Sequence, residues 1–225
     1  MAKIITPEQA AEMIPDGASV MFGGFMGCGN AHNTIAAMAS LGRKNLTMIS
    51  NDASMLKGPE GTELYGIAKL VHNQQIKKLI ASHVGLNPEV AQQMNAGTRE
   101  VSLVPQGSLA EMIRAGGAGL GGVLTTTGVG TIVEEADHVH SVLEIDGRKY
   151  LLERPLTADF ALLSGFKVDK AGNVWYRGTT RNFNPVMATA AKTVIVEAEN
   201  IVEVGEIPAE DIVTQGVLVD YIVKA

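Results

Sequence analysis

Short apolar runs alternate with helix signals along the first half of the chain, and that alternation constrains the fold more than any other feature. Ala18–Phe22, Leu46–Ser50, Leu79–Ser82 and Val101–Val104 are each too short for a helix and too continuously apolar for a solvated strand. Such runs suit strands buried on both faces. Between them lie segments with helix-start chemistry. Thr6-Pro7-Glu8-Gln9 offers a capping threonine, a proline at the first helical position and a glutamine that completes a capping box. Further helices are expected over Asn30–Ala39, Pro88–Met94 and Ser108–Ala115. The pattern predicts an α/β fold, an open and mostly parallel sheet with helices on both faces.

The rhythm breaks after residue 115. Residues 115–130 hold seven glycines in sixteen positions, too many for a helix or strand interior, so a loop or a closely packed backbone is expected. Asp146-Gly147 between Val142–Ile145 and Arg148–Leu152 signals a β-hairpin, so the C-terminal part should contain one. Ala161–Leu163, Thr193–Val196 and Leu218–Val223 read as further strands, and Asn184-Pro185 opens a helix to about Ala191. No linker divides the chain, and a single domain over 1–225 is the expectation.

The formal charge of −6 argues against a nucleic-acid partner. No run reaches the roughly 18 apolar residues of a membrane helix. The N-terminus lacks a basic segment followed by an apolar one, and Cys28 is the single cysteine, so a cytoplasmic protein without a disulfide framework is expected.

The sharpest local feature is Gly23-Gly24-Phe25-Met26-Gly27-Cys28-Gly29, between a strand end and a helix start. Such a turn can present backbone N–H groups to an anion, and glycine lets a ligand approach closely. The spacing is neither the dinucleotide fingerprint nor a P-loop, and a purely structural turn is the plain alternative. Cys28 lacks the partners of a cysteine nucleophile and at most lines a pocket. His138 and His140 would share one strand face, but two histidines do not make a zinc site, and no metal is expected. His32 reads as helix-start packing, and the lysines after Asn73-Gln74-Gln75 as a solvated helix end.

Asp16-Gly17-Ala18-Ser19-Val20-Met21-Phe22-Gly23-Gly24-Phe25, followed by Gly29, resembles the signature of the alpha chains of the family I CoA-transferases. Ala31 stands where that pattern usually has proline, and Ala68 where relatives often have glycine. Ile49-Ser50-Asn51-Asp52, Pro105-Gln106-Gly107-Ser108-Leu109, Ile113–Gly119, Thr127–Thr131, Leu152-Glu153-Arg154-Pro155-Leu156 and Arg181-Asn182-Phe183-Asn184-Pro185 are similar to the same alpha chains, in the same order. The resemblance implies transfer of coenzyme A between short acyl-CoA esters and a 3-oxo acid such as acetoacetate. CoA is then a substrate and not a resident cofactor. The resemblance also implies that Gly23, Gly24, Phe25, Met26, Gly27, Cys28 and Gly29 border the CoA path, that Gln106 helps form an oxyanion hole, and that Asn51 contacts the acyl group. A well-placed amide donor of that kind is worth about 3–4 kcal/mol.

The same family performs ping-pong catalysis through a glutamyl-CoA thioester, with the glutamate on the beta chain. Glu199-Asn200 is followed here by Ile201 and not by glycine, so Glu199 reads as a surface residue after a strand. The nucleophile is therefore expected on a CoA-transferase beta partner, in a heterotetramer of two alpha and two beta chains. A phosphosugar isomerase of related architecture and a non-enzymatic acyl-CoA sensor are the alternatives.

Overall fold

The structure, a computed structural model, describes residues 2–61 and 64–225. The chain runs through β1 (Lys3–Ile5), α1 (Pro7–Glu12), β2 (Ser19–Phe22), α2 (His32–Leu41), β3 (Leu46–Asp52), α3 (Ala68–His72), β4 (Ile76–His83), α4 (Pro88–Asn95), β5 (Glu100–Leu103) and α5 (Gln106–Gly117). It continues through β6 (Val123–Thr125), β7 (Val139–Ile145), β8 (Arg148–Glu153), β9 (Ala158–Asp169), β10 (Val174–Trp175), α6 (Asn184–Met187), β11 (Ala191–Val202) and β12 (Tyr221–Lys224).

The main sheet has the order β1-β12-β11-β9-β2-β3-β4-β5, with β10 on β9. Every pairing in it is parallel except β10 with β9. From β2 the chain builds outward through β3, β4 and β5. It then crosses back and builds the other way through β9, β11 and β12. The order thus reverses between β2 and β9, and ligands of open α/β sheets bind beyond the strand carboxyl ends at such a reversal.

Alternating side chains feed two cores. Val20, Phe22, Met48, Leu162 and Ile195 point to one face, where Ala11, Ile35, Leu70 and Val90 of α1–α4 cover them. Met21, Ile49, Ala161, Leu163, Val194 and Val196 point to the other, under Leu109, Met112 and Ile113 of α5 and Met187 of α6. Double-sided burial explains why these strands lack polar alternation. Each large apolar side chain so buried contributes about 1.5–3 kcal/mol.

The predicted capping box forms, with Gln9 N donating to Thr6 Oγ1 at 3.2 Å and Thr6 N to Gln9 Oε1 at 3.0 Å. The predicted hairpin turns at Asp146 (φ 51°) and Gly147 (φ 75°), the left-handed pair of a type I′ turn. It belongs to a separate antiparallel sheet, β6-β8-β7, after which the chain returns to the main sheet. Several expectations are corrected. α5 begins at Gln106 and continues through Gly117, and its last two positions are glycine because a side chain at 116 would strike Leu156 O and one at 117 would strike Thr189. α6 ends at Met187, well short of Ala191. Glu199 and Asn200 lie inside β11, not after it. His138 and His140 do not share a face: a register irregularity between Val139 and Ser141 leaves His138 buried and His140 exposed. No helix among the described residues is long and apolar enough to cross a membrane.

Candidate functional site

The glycine loop leaves β2 at the reversal point and folds into a tight turn. Phe25 N donates to Cys28 O at 3.0 Å and Cys28 N to Phe25 O at 2.9 Å, with Met26 (φ 54°) and Gly27 (φ 87°) between them. Protein acceptors already take three more of its donors. Gly23 N donates to Leu162 O at 3.0 Å, Gly24 N to Asn182 Oδ1 at 3.1 Å, and Met26 N to Asp52 Oδ2 at 2.8 Å. The close approach that glycine permits is also made by the protein itself. A Cβ at Gly24 would lie 2.1 Å from Asn30 Nδ2, and one at Gly27 would lie 2.0 Å from the Tyr65 ring.

The helix that follows is no anion site either. The buried Glu197 carboxylate of β11 accepts from Asn33 N at 3.0 Å, Thr34 N at 2.8 Å and Thr34 Oγ1 at 2.8 Å. A carboxylate there satisfies orphan donors and complements the positive end of α2. The expectation that this terminus offers free N–H groups to an anion is therefore corrected. His32 opens α2 with its Nε2 3.0 Å from Gly27 O and its ring 4.8 Å from that of Tyr65. Burial holds its pKa below the usual imidazole range, so it packs the loop as a neutral ring.

Gln106 and Asn51, from separate motifs, meet. Gln106 Nε2 donates to Asn51 Oδ1 at 2.6 Å. Ser82 Oγ donates to the same oxygen at 3.0 Å, and Asn51 Nδ2 donates to Asp52 Oδ2 at 2.8 Å. Asn51 is 2% exposed and its amide is engaged at both ends. Asp52 ties this group to the glycine loop through Met26 N and to Ser54 N at 2.7 Å. The Gln106 side chain is exposed at the first position of α5. Its second amide hydrogen has no protein acceptor among the described residues. Pro105, in the preceding position, provides no side-chain cap, so the first-turn N–H groups beside Gln106 have none.

These donors border a cleft of about 340 Å³ lined by Phe25, Gln106, Gly107, Ala110, Asn182, Phe183 and Val186. Its walls are mostly apolar, with two side-chain amides and no carboxylate, thiol, amine or hydroxyl nucleophile. Cys28 lies aside, its sulfur 3.4 Å from Thr179 Oγ1. A larger hollow of about 580 Å³ opens between α1 and α2, lined by Glu8, Glu12, Ala36 and Leu41 among others. It lies away from the convergent amide donors, so the smaller cleft is the better site.

The sequence marks Arg181–Pro185 as a motif without giving it a role. In the structure Asn182 accepts from Gly24 N and donates to Cys28 O at 3.0 Å, and Asn184 donates to Gly29 O at 3.1 Å. The two asparagines clamp the glycine loop from a segment more than 150 residues away. Asp52 is the other functional residue that sequence reasoning misses, visible there only as a carboxylate beside Asn51.

Comparison with known proteins agrees with this geometry. The family model for coenzyme A transferase matches residues 4–225. The chain is 50% identical over 223 residues to the acetoacetyl-CoA:acetate/butyrate CoA transferase alpha subunit of Clostridium acetobutylicum, covering 99% of this chain and 98% of that one. It is 44% identical over 221 residues to the alpha subunit of acetate CoA-transferase from Escherichia coli K12, covering 98% and 96%. Among solved structures, an acyl-CoA transferase of E. coli O157:H7 in a thioester complex with CoA superposes with a TM-score of 0.86 at 21% identity, over 100% of this chain and 47% of that one. Glutaconate coenzyme A-transferase of Acidaminococcus fermentans gives 0.85 at 19% identity, over 100% and 76%. The match over nearly the whole length places this chain in the coenzyme A transferase family, as an alpha-type subunit.

Proposed function

We propose that this chain works with a beta subunit to exchange CoA between acetyl- or butyryl-CoA and acetoacetate. The observation that carries the reading is a cleft with an amide donor aimed into it and no nucleophile in its walls. A pocket of this kind binds and polarises a thioester but cannot attack it, so the attacking group must come from another chain. The substrate class rests on the half-identical relative from C. acetobutylicum, named for acetoacetyl-CoA, acetate and butyrate. The lone Cys28 suits a reducing cytoplasm.

In this reading the acyl thioester enters between Phe25 and Val186. A partner carboxylate adds to its carbonyl carbon, and the C–S bond breaks to give an acyl–glutamyl anhydride and CoA thiolate. The thiolate then adds to the glutamyl carbonyl and releases the first acid, leaving a glutamyl-CoA thioester. The second acid reverses the steps. Each addition places negative charge on a carbonyl oxygen. The free hydrogen of Gln106 Nε2 and the uncapped first turn of α5 stabilise that oxygen. The acyl contact expected of Asn51 gives way to a positioning role, because its amide is buried and already engaged by Gln106, Ser82 and Asp52. Gly23 to Gly29 border CoA through the Phe25 side chain, which is 41% exposed.

Co-expression with the partner tests the reading. The pair should convert butyryl-CoA and acetoacetate to acetoacetyl-CoA, and neither chain should do so alone. Incubation of the pair with acyl-CoA should raise the partner's mass by that of CoA less water. Exchange by this chain alone would overturn it.

A further inference from the structure

Arg99 is a buried cation that the chemistry above leaves unused. It stands just before β5 and is 6% exposed. Among the described residues its one hydrogen bond runs from Nη2 to Val71 O at 3.2 Å. Its Nε and Nη1 are buried and have no acceptor there. These two nitrogens carry most of the guanidinium N–H groups. The carboxylates nearby are engaged elsewhere, Glu100 with Lys78 and Glu89 with His72 at 2.9 Å. A buried charge is normally paired and fully hydrogen-bonded, because its lost hydration must be replaced.

Arg99 lines a cavity of about 160 Å³ together with Lys77, Gln93, Asn45 and Gln74. Separate segments bring these residues together. Asn45 directly precedes β3, Gln74 follows α3, Lys77 is the second residue of β4, and Gln93 comes from α4. Because β3, β4 and β5 run parallel, their starts share one edge of the sheet. The cleft beside Gln106 lies beyond the opposite edge. Arg43, Lys44 and Lys78 adjoin these positions in sequence, so cations gather here on a chain whose formal charge is −6.

Gln93 adds an acceptor to the cavity. Its Nε2 donates to Val71 O at 3.4 Å, and since a carbonyl oxygen can only accept, Oε1 is turned away from Val71. That Oε1 is buried and has no donor among the described residues. The Thr98 hydroxyl does not supply one, being spent on Gln93 O at 3.2 Å. A guanidinium and an ammonium thus stand beside one buried, unmet acceptor. An anion that accepts several hydrogen bonds and donates one satisfies both sides. Inorganic phosphate keeps a P–OH group near neutral pH, whereas sulfate and carboxylates keep none. Arginine and lysine are the usual partners of phosphate oxygens, and the cavity has room for one phosphate but not for a nucleotide.

We propose that this cavity is a binding site for inorganic phosphate, with Arg99 and Lys77 holding its charge and Gln93 Oε1 accepting from its hydroxyl. The bound anion ties the starts of β3, β4 and β5 together. The site is separate from the cleft, and the inference does not depend on which acids the enzyme exchanges.

The test is a calorimetric titration of the co-expressed pair, free of CoA, with inorganic phosphate at about pH 7 and constant ionic strength. The wild type should take up about one phosphate per alpha chain with a Kd of about 1 mM or tighter. At about a hundredfold excess over Kd its melting temperature should rise by about 3 °C or more. Sulfate and glycerol phosphate, the one without a hydroxyl and the other bulkier, should each bind about tenfold more weakly or worse. Gln93→Glu places a carboxylate beside Arg99. It should abolish phosphate binding while the melting temperature without phosphate holds or rises, since Arg99 gains a counter-charge. Lys77→Ala, at an exposed position, should weaken phosphate binding about fivefold or more, and it decides the matter if Gln93→Glu does not fold. Equal responses to phosphate and sulfate would reduce the effect to charge screening and overturn the proposal. Phosphate binding undiminished in both variants would place the anion in the CoA cleft or on the partner, and would overturn it as well.

Discussion

Gln106 Nε2 donates a 2.6 Å hydrogen bond to Oδ1 of Asn51, across 55 residues of sequence, and so fixes which way the Gln106 amide faces. With the amide carbonyl of Asn51 already accepting from Ser82, the acceptor cannot swing away. One hydrogen of Gln106 is held and the other is left for the cleft. A donor aimed in advance needs little reorganisation as charge develops, and this makes it worth more than a mobile one.

Replacing Gln106 by Ala should therefore depress kcat of the assembled enzyme by about 10²–10³. Gln106 is exposed, so its loss should move stability by no more than about 0.5 kcal/mol. Steady-state kinetics beside a urea titration checks both parts. Undiminished turnover would remove the oxyanion role.

Asn51→Ala should act on turnover and on stability together. It removes the acceptor of Gln106, the weaker of the two bonds of Ser82 Oγ and one bond to Asp52, all at a buried position. We expect a loss of about 1–3 kcal/mol in unfolding free energy. A double-mutant cycle with Gln106→Ala should be strongly non-additive in kcat, because each change removes the same aligned donor. Additive effects would show that the two residues act separately.

The cleft floor predicts acyl-chain preference. Val186→Phe fills space between α6 and α5 in a cavity of about 340 Å³. The ratio of kcat/KM for butyryl-CoA over acetyl-CoA should fall about tenfold or more, as one or two methylenes lose their room. An unchanged ratio would place the acyl chain elsewhere.

Glu197→Ala should destabilise the chain by about 2–3 kcal/mol, since it strips three hydrogen bonds from the start of α2 and leaves buried donors unmet. Glu197→Gln, which keeps one acceptor oxygen, should fall between. Urea midpoints at one pH would rank the three proteins, and equal midpoints would deny the cap any weight.

Acid stability should depend on Asp159. Its carboxyl accepts from Lys192 Nζ at 2.9 Å, Ser19 N at 3.0 Å and Ser19 Oγ at 2.7 Å, and its pKa is pulled down to about 2. A depressed carboxylate stabilises the fold above its unfolded value and ceases to do so as pH falls through the folded one. The contribution is therefore present above about pH 4 and is lost toward about pH 2. Asp159→Asn should flatten the fall in melting temperature over that window, modestly, because the group is partly exposed. The same steep fall in the variant would exclude Asp159 as its source.

The local order of the chain was legible before the fold was known, because it depends on neighbours along the sequence. Continuous apolar runs marked the parallel strands, Thr6 to Gln9 marked a helix start, and Asp146-Gly147 marked a hairpin. The short edge strand β1 and the two-residue β10 carried no such pattern, since their pairing is decided by the strands they meet. The family motifs pointed to Gln106 and Asn51 singly. That the two bond to each other, and that Asn51 is buried behind Gln106, follows only from the carboxyl end of β3 meeting the start of α5 in the fold.

Chemistry set by residue type and local spacing is legible in the sequence alone: a parallel α/β fold, a helix cap, a glycine turn. Tertiary structure decided where the free donors lie. The glycine loop and the start of α2 look open to an anion in the sequence, yet Asn182, Asp52 and Glu197 arrive from other segments and take the N–H groups of Gly24, Met26, Asn33 and Thr34. Among the described residues, the start of α5 meets no such acceptor. An unpaired N–H is a property of the whole fold, because any part of the chain that packs against it can satisfy it.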